Sequence, residues 1–144
     1  MLDLVGQVLA YAGVGLGILI VGFFVLDLLT PGKLGKLVID GNPNAAVLSA
    51  ATLVSLGLIL WFAIFFTGGD WDGLDDTLVY GLVGVGTQLA GFMILDMLTP
   101  GKLGDVCMDI REEGSGASAR FVPATWVAAA LQVAIALIVC ASLT

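Results

Sequence analysis

Charged residues leave four long gaps in this chain. The stretches between Asp3 and Asp27, Asp40 and Asp70, Asp76 and Asp96, and from Arg120 to the end hold 23, 29, 19 and 24 uncharged residues. A helix rising 1.5 Å per residue needs about 20 apolar residues to cross ~30 Å of hydrocarbon, so each gap can hold one span. Of the 144 residues, 59% are apolar and 12% charged, with a mean hydropathy of +1.08, which excludes an ordinary soluble domain. A membrane β-barrel would need spans of about ten residues with in/out alternation, and Val47 to Phe66 does not alternate. The chain reads as an all-α membrane protein with four transmembrane helices. Met1-Leu2-Asp3-Leu4 lacks a basic leader and no Ala-x-Ala site closes the first apolar run, so the first helix is expected to be retained.

Within that frame the sequence is duplicated. Leu26-Asp27-Leu28-Leu29-Thr30-Pro31-Gly32-Lys33-Leu34-Gly35 returns as Leu95-Asp96-Met97-Leu98-Thr99-Pro100-Gly101-Lys102-Leu103-Gly104, 69 positions later. The same offset aligns Tyr11 with Tyr80, Gly15 with Gly84, Gly22 with Gly91 and Asp40 with Asp109. Each repeat is helix, loop, helix, which divides the chain at 1–69 and 70–144 within one integrated bundle. An even number of spans per repeat gives both copies the same orientation, related by an axis along the membrane normal.

All five basic residues, Lys33, Lys36, Lys102, Arg111 and Arg120, fall in the loops after the first and third spans. The positive-inside rule therefore places both motif loops in the cytoplasm and both termini outside. A net charge of −7 argues against a nucleic-acid partner. Cys107 is expected in the reducing cytoplasm and Cys140 in the last helix, so no disulfide is expected.

Local chemistry sets the helix ends. Thr30 and Thr99 precede proline, which disfavours helical backbone there, and Pro-Gly suits the centre of a type II turn. Asn42-Pro43 reads as an N-cap with proline at the first helical position, and Pro123 is placed to open the last helix. Between turn and cap, Leu34, Leu37 and Val38 lie opposite Lys36 and Asp40, which predicts a short interfacial helix, repeated by Leu103, Val106 and Ile110. Small residues at Gly6, Ala10, Gly13 and Gly17 form a stripe on the first span. They are expected to pack a neighbouring backbone, with Ala45, Ser49 and Thr52 of the second span as counterpart within the repeat. On the third span Gly84, Gln88 and Gly91 share a face, and a Gln88 to Gln132 hydrogen bond between the third and fourth spans is expected.

Asp27 and Asp96 are the ionisable groups of the repeated helix ends. A carboxylate near a helix C-terminus opposes the macrodipole by about 0.3–1 kcal/mol, so a compensating partner is expected. The favoured reading has each acid accept hydrogen bonds from the turn that follows, or pair with Lys33 or Lys102, pinning a corner of the bundle. The sharper alternative makes them ion or proton sites, which their depth near the inner interface weakens. Lys33 and Lys102, beside Thr30-Pro31-Gly32 and Thr99-Pro100-Gly101, set topology first, with anionic lipid phosphate as the second reading. The segment Asp70-Trp71-Asp72-Gly73-Leu74-Asp75-Asp76 lacks the spacing and closing Glu of a calcium loop and reads as a solvated acidic hairpin. Trp61, Phe66 and Trp71 suit one aromatic belt and Trp126 the other.

Nothing in the sequence carries catalysis. There is no histidine and no Walker or dinucleotide glycine pattern, and Gly13, Gly15 and Gly17 lie inside a span. No metal or cofactor is expected. The doubled Leu-Asp-x-Leu-Thr-Pro-Gly-Lys-Leu element, followed by Asn42-Pro43-Asn44-Ala45-Ala46, resembles the bacterial transmembrane family known as domain of unknown function 350, whose members carry paired-helix repeats. The second copy departs from it, with Glu112 to Pro123 in place of the Asn-Pro element. The resemblance implies a multi-pass inner-membrane location and points toward envelope-stress or polyamine-linked systems, without an established activity. Two function classes follow. One is a structural or partner-binding subunit, lipid-embedded, homo-oligomeric or part of a membrane complex, with a cytoplasmic partner at the motif loops. The other is an oligomeric ion or proton channel or transporter subunit ringed by Asp27 and Asp96.

Overall fold

A computed structural model describes residues 1–29, 34–68, 70–98 and 123–143, with the side chains of residues 95, 96 and 98 left aside. Five helices carry these residues: α1 (Leu2–Leu29), α2 (Leu34–Ile39), α3 (Pro43–Thr67), α4 (Gly73–Leu98) and α5 (Pro123–Ser142). Four of them, α1, α3, α4 and α5, are long and apolar enough to cross a membrane, and the described residues contain no strand.

The helix ends show why the chain breaks where it does. α1 stops at Leu29, two residues before Pro31. α2 closes at Gly41, whose φ of +85° suits glycine alone without strain. There the Gly41 amide donates to the Val38 carbonyl and the Asn42 amide to the Leu37 carbonyl, the paired bonds of a Schellman turn. Asn42 then serves α3, its Oδ1 accepting from the Asn44 and Ala45 amides at 2.9 and 3.3 Å, with Pro43 at the first helical position. One residue thus ends α2 and starts α3. At the opposite end α3 runs out at Gly68, again at positive φ, +82°.

α3 is the central helix, packed against α1, α2, α4 and α5, while α1 and α5 stand at opposite corners of the bundle. Three apolar clusters follow its length. Leu34 and Leu37 of α2 join Ala45, Leu48 and Ala128 at the motif end; Ile18, Leu56, Leu60 and Val85 join α1, α3 and α4; Ile59, Ala136, Val139 and Cys140 join α3 and α5. The contacts of α3 with α5 run in parallel register. Asn44 meets Thr125 and Thr52 meets Gln132, separations of 81 and 80 that match the spacing of Pro43 and Pro123.

Within one protomer the packing differs from expectation at three places. α1 buries Tyr11, Gly15, Ile18, Gly22 and Leu26, not the small-residue stripe. Gly13 and Gly17 are exposed, and a Cβ added at either would meet nothing within 4 Å; Ala10 and Gly6 are half-buried, and a Cβ added at Gly6 would meet the Trp71 ring. α1 is apolar all round, so residue size alone did not mark the buried face; the close approach occurs at Gly22, against Val85 and Leu56. The Ala45, Ser49 and Thr52 face of α3 turns partly to α5, across the two halves of the chain, where Thr52 finds a hydrogen-bond partner. In α2, Leu34 and Leu37 point into the bundle, whereas Val38 and Ile39 are 38% and 87% exposed.

Candidate functional site

The motif corner is built by a carboxylate and a backbone amide. Asp27, in the last turn of α1, accepts a hydrogen bond on Oδ1 from the Gly35 amide, 2.7 Å away, in the first turn of α2. That amide is one of the four at a helix start that no intrahelical carbonyl satisfies, and an acceptor there also faces the positive end of the α2 backbone dipoles. The acid therefore faces the start of the next helix. Thr30, Pro31, Gly32, Lys33, Thr99, Pro100, Gly101 and Lys102 lie outside the described residues. So do Leu103, Val106 and Ile110, where a second loop helix is expected, and Cys107. Asp96 is placed in the last turns of α4 by its backbone alone.

Directly beneath the corner, Thr125 of α5 donates its hydroxyl to Asn44 Oδ1 at 3.1 Å, and both residues are buried. This pair was not anticipated from sequence. Its signal was the matching spacing of the two helix-opening prolines, which brings the first turns of α3 and α5 to one level.

A second polar group lies deeper, between α3, α4 and α5. Gln88 Nε2 donates to the Gln132 backbone carbonyl at 2.9 Å and to Gln132 Oε1. Gln132 Nε2 donates to Thr52 Oγ1 at 3.3 Å, and the Thr52 hydroxyl donates to the Leu48 carbonyl at 2.9 Å. The chain has one direction, because both Gln132 oxygens accept and so fix the Gln88 amide with its nitrogen toward α5. Gln88 and Thr52 are 0% exposed and Gln132 1%. Gly84, buried, and Gly91, half-buried, flank Gln88 on α4 and meet Ile59 and Ile135, so the small residues bring the α4 backbone close enough for its amide to reach.

The opposite end of the bundle has its own clasp. The Tyr11 hydroxyl lies 2.8 Å from the Gly68 carbonyl and 2.7 Å from the Asp70 carbonyl, tying α1 to the α3–α4 connection. Thr67 donates to the Ala63 carbonyl at 2.9 Å, which leaves Thr77 as the donor of the bond between the two hydroxyls. Beside them Ala63, Phe66, Thr67, Tyr80, Ser142 and Leu143 line a cleft of about 300 Å³. Asp70, Asp72, Asp75 and Asp76 are exposed. Trp61, Phe62, Phe65 and Phe66 form a run of ring contacts near the same end of α3, and Trp126 is exposed near the start of α5. Among the described residues no group of three His, Cys, Asp or Glu side chains is placed to hold a metal ion.

Between the Gln88 layer and the Thr67 clasp the interior is apolar. Leu56, Ile59 and Ala136 are 0% exposed and Val139 4%. Among the described residues the polar groups form three separate sets, the Asn44–Thr125 pair, the Gln88–Gln132–Thr52 layer and the Tyr11–Thr67–Thr77 clasp.

The model of the family Domain of Unknown Function (DUF350) matches residues 1–143. A UPF0719 transmembrane protein of Mycolicibacterium paratuberculosis is 41% identical over 93 residues, 63% of this chain and 62% of that protein. Two more UPF0719 transmembrane proteins, from Mycobacterium bovis and Mycobacterium tuberculosis, are each 37% identical over 94 residues, 64% of this chain and 62% of theirs. The chain thus spans less than two thirds of the length of these relatives. No solved structure matches. With four membrane-crossing helices and a family match over nearly its whole length, the chain belongs to the domain of unknown function 350 family of transmembrane proteins.

Proposed function

We propose that this protein is a non-enzymatic, partner-binding subunit of a bacterial inner-membrane complex, linked to the envelope-stress response, and that its motif corners are the docking surfaces. The observation that carries the reading is the Asp27 to Gly35 bond. It holds α2 against the bundle through Leu34 and Leu37 while Lys36, Val38 and Ile39 stay exposed, so a mixed basic and apolar surface is presented on a braced element. Such preorganisation lowers the ordering cost of association. The confinement of all five basic residues to the two motif loops supports a cytoplasmic placement of these corners, with both termini outside. The apolar layer between the Gln88 layer and the Thr67 clasp speaks against a solute path through one protomer.

The test is photo-crosslinking from Lys36 and Ile39 in native membranes, with the oligomeric state read in mild detergent. A reproducible adduct with one other polypeptide is expected. Adducts with this chain alone would replace the docking reading by a homo-oligomer, and flux through reconstituted vesicles that vanishes in Asp27→Asn/Asp96→Asn would replace it by an oligomeric channel. Sidedness has its own check: labelling of Cys107 by an impermeant thiol reagent in intact cells would reverse the orientation.

A further inference from the structure

We infer that the centre of the bundle holds an internal water molecule that donates to Gln88 Oε1 and bonds the Ser55 hydroxyl, completing a hydrogen-bond chain from Ser55 through Gln88, Gln132 and Thr52 to the Leu48 carbonyl. Two independent observations meet here. Gln88 Oε1 and Ser55 Oγ are each buried without a hydrogen-bond partner, in residues that are 0% exposed. An unsatisfied polar atom costs about 1–3 kcal/mol on burial, and the membrane offers no other solvent to relieve it.

The helix register brings the two atoms to one level. Ile59 of α3 packs on Gly84 of α4. One turn from Ile59 along the same stripe is Ser55, and one turn from Gly84 in the facing direction is Gln88, because the two helices are antiparallel. Thr52, a further turn along α3, already reaches Gln132, so Ser55 stands between the apolar layer of Ile59 and the amide pair.

The chemistry selects the ligand. Gln88 has spent both amide protons on Gln132, so its oxygen requires a donor, whereas the Ser55 hydroxyl either gives or takes a proton. Ser55 and Gln88 are themselves 0% exposed, which selects as ligand the smallest molecule with two donors and two acceptors. Ser49 Oγ is also unpartnered, but it lies nearly two turns toward the motif end and belongs to a different level.

The chain contains three glutamines, Gln7, Gln88 and Gln132, so selective ¹⁵N-glutamine labelling resolves the site. In nanodiscs of deuterated lipid, the Gln88 side-chain amide protons are expected to show a cross-peak to a long-lived water. In Ser55→Ala that cross-peak is lost while the Gln88 to Gln132 contact remains. Absence of the water contact in the unaltered protein overturns the inference, with Ser55 then bonding directly to Gln88 or back to the Ala51 carbonyl. So does a water cross-peak that Ser55→Ala leaves unchanged, since the second ligand would then not be Ser55.

Discussion

Asp27 at the end of α1 and Gly35 at the start of α2 share a hydrogen bond of 2.7 Å, carboxylate oxygen to backbone amide. The bond joins two helices across the motif turn and needs an acceptor rather than a charge. Asp27→Ala is expected to destabilise the protein by about 1–3 kcal/mol, because it strands a half-buried amide. Asp27→Asn keeps an oxygen in place, and its lost charge removes an unfavourable α1 dipole term along with a favourable α2 one, so it is expected to cost well under half as much. Steric trapping in bicelles measures both; equal losses would show that the charge itself matters.

Gln132 accepts twice from Gln88 and donates to Thr52. Gln132→Leu removes this hub and is expected to cost about 1–2 kcal/mol, toward the upper end for an interhelical hydrogen bond in lipid. Thr52→Val, which keeps shape and removes one acceptor, is expected to cost about 0.6 kcal/mol. The same unfolding assay reads both.

A methyl group at Gly84 would overlap Ile59 Cγ2, whereas one at Gly86 would meet nothing within 4 Å. Gly84→Ala is therefore expected to destabilise by about 1–3 kcal/mol through overpacking. Gly86→Ala is expected to change stability by no more than about 1 kcal/mol, in the favourable direction given by helix propensity. Equal effects at the two positions would contradict the placement of the α4 face.

At the other end, the Tyr11 hydroxyl carries the link between α1 and the α3–α4 connection. Tyr11→Phe is expected to cost about 0.5–1.5 kcal/mol and to speed amide exchange at Asp70 and Trp71 without affecting the middle of α3. Gly73→Ala is expected to do more, since its Cβ would stand 2.6 Å from the Thr67 carbonyl oxygen and 2.7 Å from the Tyr11 hydroxyl. Exchange mass spectrometry resolves the two.

The sites were legible to different degrees. Gln88 and Gln132 stood out because an amide inside an apolar span needs a partner, and each was the nearest candidate for the other. Asp27 called for a partner near the motif turn, which the Gly35 amide supplies. Thr125 and Asn44 were harder to pair, because each also suits a helix start on its own. Ser55 carried no sequence signal, since a serine in a membrane helix is commonly satisfied by its own backbone.

What the sequence determined by itself were the spans and their ends. Uncharged windows of sufficient length, Pro31, the Asn42-Pro43 cap and Pro123 act locally, through hydration cost and backbone sterics, and need no knowledge of neighbours. Which face each helix buries was decided only by the tertiary structure. In water an apolar stripe marks the buried side; in lipid both sides of a helix are equally apolar, so Gly13 and Gly17 look outward while Tyr11, Gly15 and Gly22 turn in. Close packing and hydrogen bonds made that choice, and both depend on which helix stands opposite.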